Sequence, residues 1–515
     1  MELRTLLAAL AEAGELIRIA EPIHPNLLAA LLAASDRTLF FERLAGCRFP
    51  LVGNVAASRR RLALAAGAPP DTLFRLAERL RQAQPLEVVD AAPCQEVVRI
   101  GDEVDLTELP FYLQHEKDGA PYISSAVDIA RNPDTGGHNL GMRRLMFEGR
   151  RHTGIHLASP SDLQRLYRRN LAQGQPTEVA FAIGLHPLYQ LGALLRVKAD
   201  EEYTHLAALS QRPLRLARAK TVALLVPADA EVVLEGRILA AGYRFPEGPY
   251  GEFPGIYGEA NLSPRVEITA ITHRRDAVFQ TTTIGGRYPQ RTETNQLIAV
   301  AFEILLWEAL RRAVTEPVAV YVPPAGCNFV AIAAVRRHYT HDPRTALLAM
   351  LSAAAFKFAI VVDADIDPSD WEQVTWALAT CVQPARDVFV LDRHRAVPLD
   401  PSLPMSQPPY YSSCLGIDAT RKPELLHRYE VARVPFREAE EALETLLRRG
   451  REWASGDGAE PAQIAARILE LQARGPVRYI DVLREFPTAD YRAVLQAWDQ
   501  LLADGRLQPP PAAAE

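Results

Sequence analysis

The sequence predicts a mixed α/β chain of several domains. Three observations carry this. At 515 residues the chain exceeds what one hydrophobic core serves, so two or three domains are expected. Between about 95 and 290 it is built of short β-prone runs separated by turns, as in a barrel or sandwich. Between about 315 and 430, strand-like and helix-like segments alternate, the pattern of an α/β layer domain.

The elements follow in order. Residues 1–90 are Ala/Leu-rich and read as mostly helical, with a short strand near Leu51-Val-Gly53. The first segment sets Glu2, Arg4, Glu12 and Glu15 in an apolar helical pattern, an amphipathic helix rather than a signal peptide. Residues 221–226 and 266–272 read as strands, and 292–314 as one long apolar helix. Strands are expected at 318–322, 329–335 and 358–362, with a helix at 343–355. The next helix should open with Asp367 as N-cap and Pro368 at its first position. Residues 455–461 read as a linker, and 462–507 as three short helices compatible with a winged-helix-like module. That tail lacks a basic cluster, which favours a packing or oligomer role over DNA binding. The Pro509-Pro-Pro-Ala-Ala-Ala end reads as disordered.

Composition excludes several classes. The chain is 48% apolar and 23% charged, with 57 Lys and Arg against 63 Asp and Glu, a net charge of −6. With no basic tract, nucleic acid is not expected as a partner. No apolar run approaches the ~20 residues that cross a bilayer. The five cysteines are scattered, odd in number and without a CxxC pair, as expected of reduced thiols in a cytoplasmic protein.

Two segments carry candidate chemistry. Glu247-Gly-Pro-Tyr-Gly-Glu252-Phe-Pro-Gly255 places two carboxylates five residues apart. In a strand such residues face opposite ways, and in a helix they diverge by roughly 140°. Only a tight turn unites them, and Gly248, Pro249 and Gly251 suit one. Two close acids suit general acid/base work, although a solvated acidic hairpin would use the same residues. Upstream lies Asn132-Pro-Asp-Thr-Gly-Gly-His-Asn139-Leu-Gly-Met-Arg-Arg144. Its first part is turn chemistry; Asn139 and Arg144 follow on an expected strand. An Asn oxygen is a hard ligand for Mg2+ or Mn2+, and an Arg beside two Glu could hold a substrate carboxylate. A solvated hairpin face is the competing reading. Turn residue and loop surface are the expected settings of His138 and His115. Gly285-Gly-Arg-Tyr-Pro-Gln-Arg291 is either a structural turn or a border of the substrate pocket, through Arg287, Tyr288 and Arg291.

Taken together, these segments resemble the UbiD-type decarboxylases, reversible (de)carboxylases that use prenylated FMN. Asn139-Leu-Gly-Met-Arg-Arg144 resembles that family's Asn-x-x-x-x-Arg segment. Leu225-Val-Pro-Ala-Asp-Ala-Glu231 resembles its Val-Pro-Ala-x-x-Glu strand pair, and Glu247-Gly-Pro-Tyr-Gly-Glu252 its acidic turn. Lys357-Phe-Ala-Ile-Val-Val-Asp-Ala-Asp-Ile-Asp367, followed by Trp376-Ala-Leu-Ala-Thr380, resembles its C-terminal strand-helix signature. The four lie in family order over roughly residues 1–430. The resemblance implies an N-terminal segment (1–95) and a prenylated-FMN-binding split β-barrel domain (96–310). An α/β dimerisation domain (315–435) follows, and a helical extension (436–515) lies outside it.

It also implies roles. Arg144, Glu247 and Glu252 match the catalytic group. Glu252 is the proton donor after CO2 leaves a covalent cofactor adduct, and Glu247 with Arg144 forms the ion pair that positions it. Asn139 and Glu202 match ligands of a divalent metal, Mn2+ or Mg2+, beside the cofactor phosphate, and K+ is a further cation the family allows. Lys357 matches a phosphate contact. Met142, Arg143 and Arg144 should lie against the flavin, with His156 and Leu157 bordering it. A flavin prenyltransferase would supply the cofactor, and the apolar face Trp371, Val374, Trp376 and Leu378 would serve a homodimer or higher assembly. The implied reaction is non-oxidative decarboxylation of an aromatic, heteroaromatic or α,β-unsaturated acid by a carboxy-lyase.

One departure stands out. Relatives carry a metal-ligand His a little after the Arg, whereas this chain reads Thr153-Gly-Ile-His156-Leu-Ala-Ser-Pro160-Ser161. Pro160 or Ser161 occupies that place, so the metal site is expected to be remodelled, with His156 or a water as third ligand, or to bind weakly. Two alternatives stay open: a same-fold enzyme acting on a CoA thioester or carboxylating within a complex, and a non-catalytic assembly subunit with a degenerate metal site.

Overall fold

Six strands close into a ring that carries Asn139 and Arg144. They are β1 (Tyr122–Arg131), β2 (His138–Phe147), β3 (His152–Ile155), β4 (Thr177–Ile183), β5 (Val232–Ile238) and β6 (Arg265–His273). Hydrogen-bonded order is β5-β4-β1-β2-β3-β6, and β6 pairs back onto β5 from Val232↔His273 to Ile238↔Val266, closing the barrel. Alternation sorts the side chains. Ala126, Leu145, Phe181, Leu234 and Ile268 share the core cluster inside the ring. Val127, Ile129, Leu140, Ala180 and Val233 face outward onto the helices Pro187–Leu194 and Glu202–Ser210.

The computed structural model describes residues 1–157, 160–195, 197, 201–403, 411–430, 458–487 and 489–507. These form two compact units, Met1–Lys422 and Pro423–Glu515. At the N-terminus the helix Leu3–Glu12 buries Leu3, Leu6, Leu7 and Leu10, the expected amphipathic stripe. This region holds more strand than its composition suggests. Leu16–Ile19, Thr38–Phe41 and Leu51–Gly53 join Phe279–Gln280 in a four-stranded sheet. Thr38–Phe41 is buried throughout, which favours a sheet interior over a surface helix.

The expected strand at 221–226 is shorter, covering only Leu225–Pro227. The buried Glu235 carboxylate accepts the backbone N–H groups of Lys220 (2.8 Å) and Thr221 (2.6 Å), donors that a ladder would otherwise use.

The α/β region begins with the helix Glu293–Ala313, capped by Thr292. Strands β7 (Pro317–Tyr321), β8 (Val330–Val335), β9 (Phe358–Asp363), β10 (Val388–Arg395) and β11 (Tyr411–Asp418) form a sheet ordered β7-β8-β9-β11-β10, parallel at its centre. The helix expected at Asp367 starts later, as Trp371–Cys381 with Asp370 as N-cap. Asp367 instead closes its own turn, its Oδ1 accepting from Ser369 N (2.8 Å) and Oγ (2.7 Å).

Among the described residues of the second unit, the helices Pro461–Gln472, Tyr479–Glu485 and Tyr491–Ala503 pack around Ile464, Ile468, Val482, Val494 and Leu501. Residues 455–457 of the expected linker and the whole proline-rich end lie outside the described residues. No described helix is long and apolar enough to cross a membrane.

Candidate active site

The two acids meet because the chain folds sharply between them. Glu247 ends the short strand Phe245–Glu247, paired with Asn261–Ser263. Glu252 follows Tyr250–Gly251, paired with Tyr257–Gly258. Between them Gly248 has φ +94° and the Gly248–Pro249 peptide is cis. A loop holds this turn from outside: Gly119 N donates to Pro249 O (2.8 Å) and Gly251 N to Asp118 Oδ1 (2.9 Å). Tyr122 Oη accepts from Gly248 N (3.1 Å). A Cβ on Gly251 would run into the His115 ring, so glycine is required there. His115, expected on the loop surface, is thus half-buried and packs on the acid turn.

Arg144 on β2 reaches both acids. Its Nε and Nη2 donate to Glu247 Oε1 (2.7 Å) and Oε2 (2.8 Å), a bidentate pair, and its Nη1 donates to Glu252 Oε1. Glu247 is fully buried, while 12% of the Glu252 side chain is exposed. The Arg144 Cζ lies 4.4 Å from the centre of the Tyr250 ring. His156 Nδ1 is 3.1 Å from Glu247 Oε2 and 3.2 Å from Arg144 Nη2.

Burial would raise the Glu247 carboxyl. The Arg144 guanidinium and His156 outweigh it and hold the group at about 2. Burial works against the Arg144 charge too, but the two glutamates keep it above its usual value. Arg144, His156 and Glu252 stand at the meeting of two cavities, of about 210 and 230 Å³. One is walled by Met142, Tyr250 and Phe253, the other by Tyr257 and the segment 398–401. Residues 285–288 and Arg291 line a third cavity of about 350 Å³, which includes neither Arg144 nor Glu252.

The other expected residues divide. Asn139 Nδ2 donates to Glu202 Oε1 (2.9 Å), both buried, so these two do meet. Met142 and Arg143 line the cavity with Glu252. The Leu157 side chain lies in the barrel core and its carbonyl accepts from Gln164 Nε2 (2.6 Å), leaving only its backbone facing other partners. The Lys357 ammonium is taken by Asp400 (3.0 Å) and Ser402 Oγ (2.7 Å) and lines neither of the two cavities. His138 opens β2 and its Nε2 accepts from Leu225 N (3.1 Å). Among the described residues no group of three or more His, Cys, Asp or Glu could hold a metal.

Sequence reasoning missed Asp118, Tyr122 and Tyr250, which build the turn, and Asp128. The latter is a fully buried carboxylate on β1, pushed up to about 6 by its burial and lowered in part by Arg143. Its signal was available: one acid in the otherwise apolar or small run Ile123–Ala130.

Comparison with known proteins fits this architecture. The sequence matches the 3-octaprenyl-4-hydroxybenzoate carboxy-lyase N-terminal domain over residues 7–80, the Rift-related domain over 87–288 and the C-terminal domain over 295–419. The chain therefore belongs to the UbiD family of carboxy-lyases. It is 31% identical over 466 residues to the uncharacterized protein sll0936 of Synechocystis sp. (strain ATCC 27184 / PCC 6803 / Kazusa), covering 83% of this chain and 91% of that one. Among solved structures it resembles the UbiD-class enzyme HmfF from Pelotomaculum thermopropionicum in complex with FMN, at 34% identity and TM-score 0.78, covering 86% and 98% of the two chains. Sedimentibacter hydroxybenzoicus vanillic acid decarboxylase matches at 32% and 0.76, covering 87% and 98%. The 3,4-dihydroxybenzoic acid decarboxylase of Enterobacter cloacae matches at 26% and 0.77, covering 86% and 99%. Such neighbours, solved with FMN and with prenylated FMN, support a flavin as cofactor.

Proposed function

We propose that this chain is a prenylated-FMN-dependent decarboxylase of an aromatic, heteroaromatic or α,β-unsaturated carboxylic acid. The observation that carries the reading is the clasp of Arg144 by Glu247 and Glu252 at the meeting of two cavities. When bound, the modified flavin supplies an electron sink for the carbon that loses CO2. The protein then has to orient the acid, exclude water and deliver a proton. Glu252, the more exposed carboxylate, is placed to deliver it. Glu247 stays ionised against Arg144 and fixes the guanidinium on which Glu252 rests. Met142, Arg143 and Arg144 border the flavin, and Asn139 with Glu202 lies toward its phosphate.

The intact clasp favours an enzyme over a non-catalytic subunit. A homodimer is part of the proposal: Trp371 and Trp376 are 44% and 39% exposed on one helix of the α/β region, while Val374 is buried. The neighbouring HmfF exists in an evolved dimeric form. The reading also places the chain in the cytoplasm, supplied by a flavin prenyltransferase. The test is cofactor dependence. Protein produced without a prenyltransferase should release no CO2 from a panel of aryl and acrylic acids, and co-produced protein should be coloured and active on at least one. Full activity without any flavin would overturn the reading.

A further inference from the structure

The donor set at the phosphate end does not fit a divalent metal. Such an ion beside a phosphate takes hard oxygen ligands in near-octahedral geometry. Asn139 and Glu202 meet through an N–H of the Asn139 amide (2.9 Å), which spends one Glu202 oxygen on the pair. His156 turns its Nδ1 to Glu247 and Arg144. Ser161 stands where the third ligand is expected, and its hydroxyl has two lone pairs. One accepts Gln164 N (3.2 Å), capping the helix Asp162–Ala172, and the other accepts Arg143 Nη2 (3.1 Å). The Ser161 oxygen has no lone pair left for a cation.

A cation is nevertheless already there. Arg143 Nε lies 3.3 Å from Asp128 Oδ1, an ion pair rather than an aligned hydrogen bond, since neither atom meets hydrogen-bond geometry. Its Nη1 donates to Met142 O (3.1 Å) and its Nη2 to Ser161. Buried Asp128 thus holds the guanidinium from one side and Ser161 from another. A guanidinium has five N–H groups in a planar fork. Three face these partners, and two remain on a side chain that lines the same cavity as Glu252. A fixed fork with spare N–H groups matches phosphate oxygens.

We infer that the Arg143 guanidinium, pinned between Asp128 and Ser161, is this chain's built-in cation for the flavin phosphate, in place of a divalent metal. The inference rests on the flavin reading proposed above and concerns only how the phosphate is neutralised.

The test uses the full chain without prenylated cofactor, with FMN as probe and riboflavin, which lacks the phosphate, as control. Binding is followed by flavin fluorescence in EDTA and in millimolar Mn2+, and Mn2+ uptake by the spectrum of the free ion. Wild type should bind FMN with less than about a twofold difference between the two buffers and take up no stoichiometric Mn2+. Arg143→Ala should lose about tenfold or more in FMN affinity, with a clearly smaller loss for riboflavin. Arg143→Lys should recover part of it, which a merely misfolded variant would not. The double variant Arg143→Ala, Ser161→His should regain FMN affinity only when Mn2+ is present. Wild-type FMN binding that needs Mn2+, or stoichiometric Mn2+ retention, would overturn the inference alone. Equal losses of FMN and riboflavin in Arg143→Ala would also overturn it. Failure of wild type to bind FMN in either buffer would overturn the flavin reading itself.

Discussion

Arg143 and Arg144 are neighbours on β2, yet they serve two differently built regions. Arg144 is spent almost entirely on the protein: two carboxylates, an imidazole and an aromatic face surround it. Arg143 is tethered by one carboxylate, one carbonyl and one hydroxyl, and keeps N–H groups to spare. Both line the cavity with Glu252, yet their partners differ, so one strand delivers two cations to two tasks. The difference teaches what each guanidinium is for. An arginine spent on protein acids holds them in place. One with donors in reserve is prepared for a ligand.

Removing Arg144 should break that comparison hardest. Arg144→Ala leaves Glu247 buried without its partner, which costs about 3–5 kcal/mol by the usual penalty for halving a buried pair. Urea or thermal denaturation should show that loss together with loss of CO2 release. A destabilisation as small as that of a surface arginine would mean that the pair is not buried in solution.

Acid should act on the same pair next. The Glu247 carboxyl sits at about 2 in the folded chain against an ordinary 4.5. A depressed carboxylate contributes stability that is present above the unfolded value and lost as pH falls toward the folded one. Stability should therefore drop between pH 4.5 and about 2 through this group, and Glu247→Gln should flatten that part of the profile. An unchanged profile in the variant would assign the acid sensitivity elsewhere.

Ser161→Ala should have the smallest effect. It removes a helix N-cap and one tether of Arg143, for a loss of about 1 kcal/mol in stability and a few-fold weakening of FMN binding. Complete loss of flavin binding would mean that the hydroxyl does more than hold Arg143.

How much of this was legible depended on distance along the chain. The acid turn was readable because its logic is local: Gly248, Pro249 and Gly251 allow one fold-back, and that fold-back brings Glu247 and Glu252 onto one guanidinium. The long helix Glu293–Ala313 and the strands β8 and β9 were readable from apolar runs. What could not be read was who holds whom across long separations. Asp118 supports the turn from 133 residues away. Ser161 was legible as a missing ligand but not as the acceptor for Arg143. Lys357 was expected on a phosphate, and its ammonium is held by Asp400 and Ser402, a pairing that only the fold creates. The expected cap at Asp367 failed for a different reason: its side chain is consumed by its own turn, and the helix opens later with Asp370 as cap.

The central claim is that the clasp exists to hold Glu252 where it can give up a proton. The most direct measurement is CO2 release by Glu252→Gln, produced with a flavin prenyltransferase, on an acid that the wild type decarboxylates, alongside its flavin spectrum. The account predicts retained cofactor and a turnover at least ~100-fold lower, the range expected when a positioned acid is removed. Wild-type turnover with the flavin bound would contradict it.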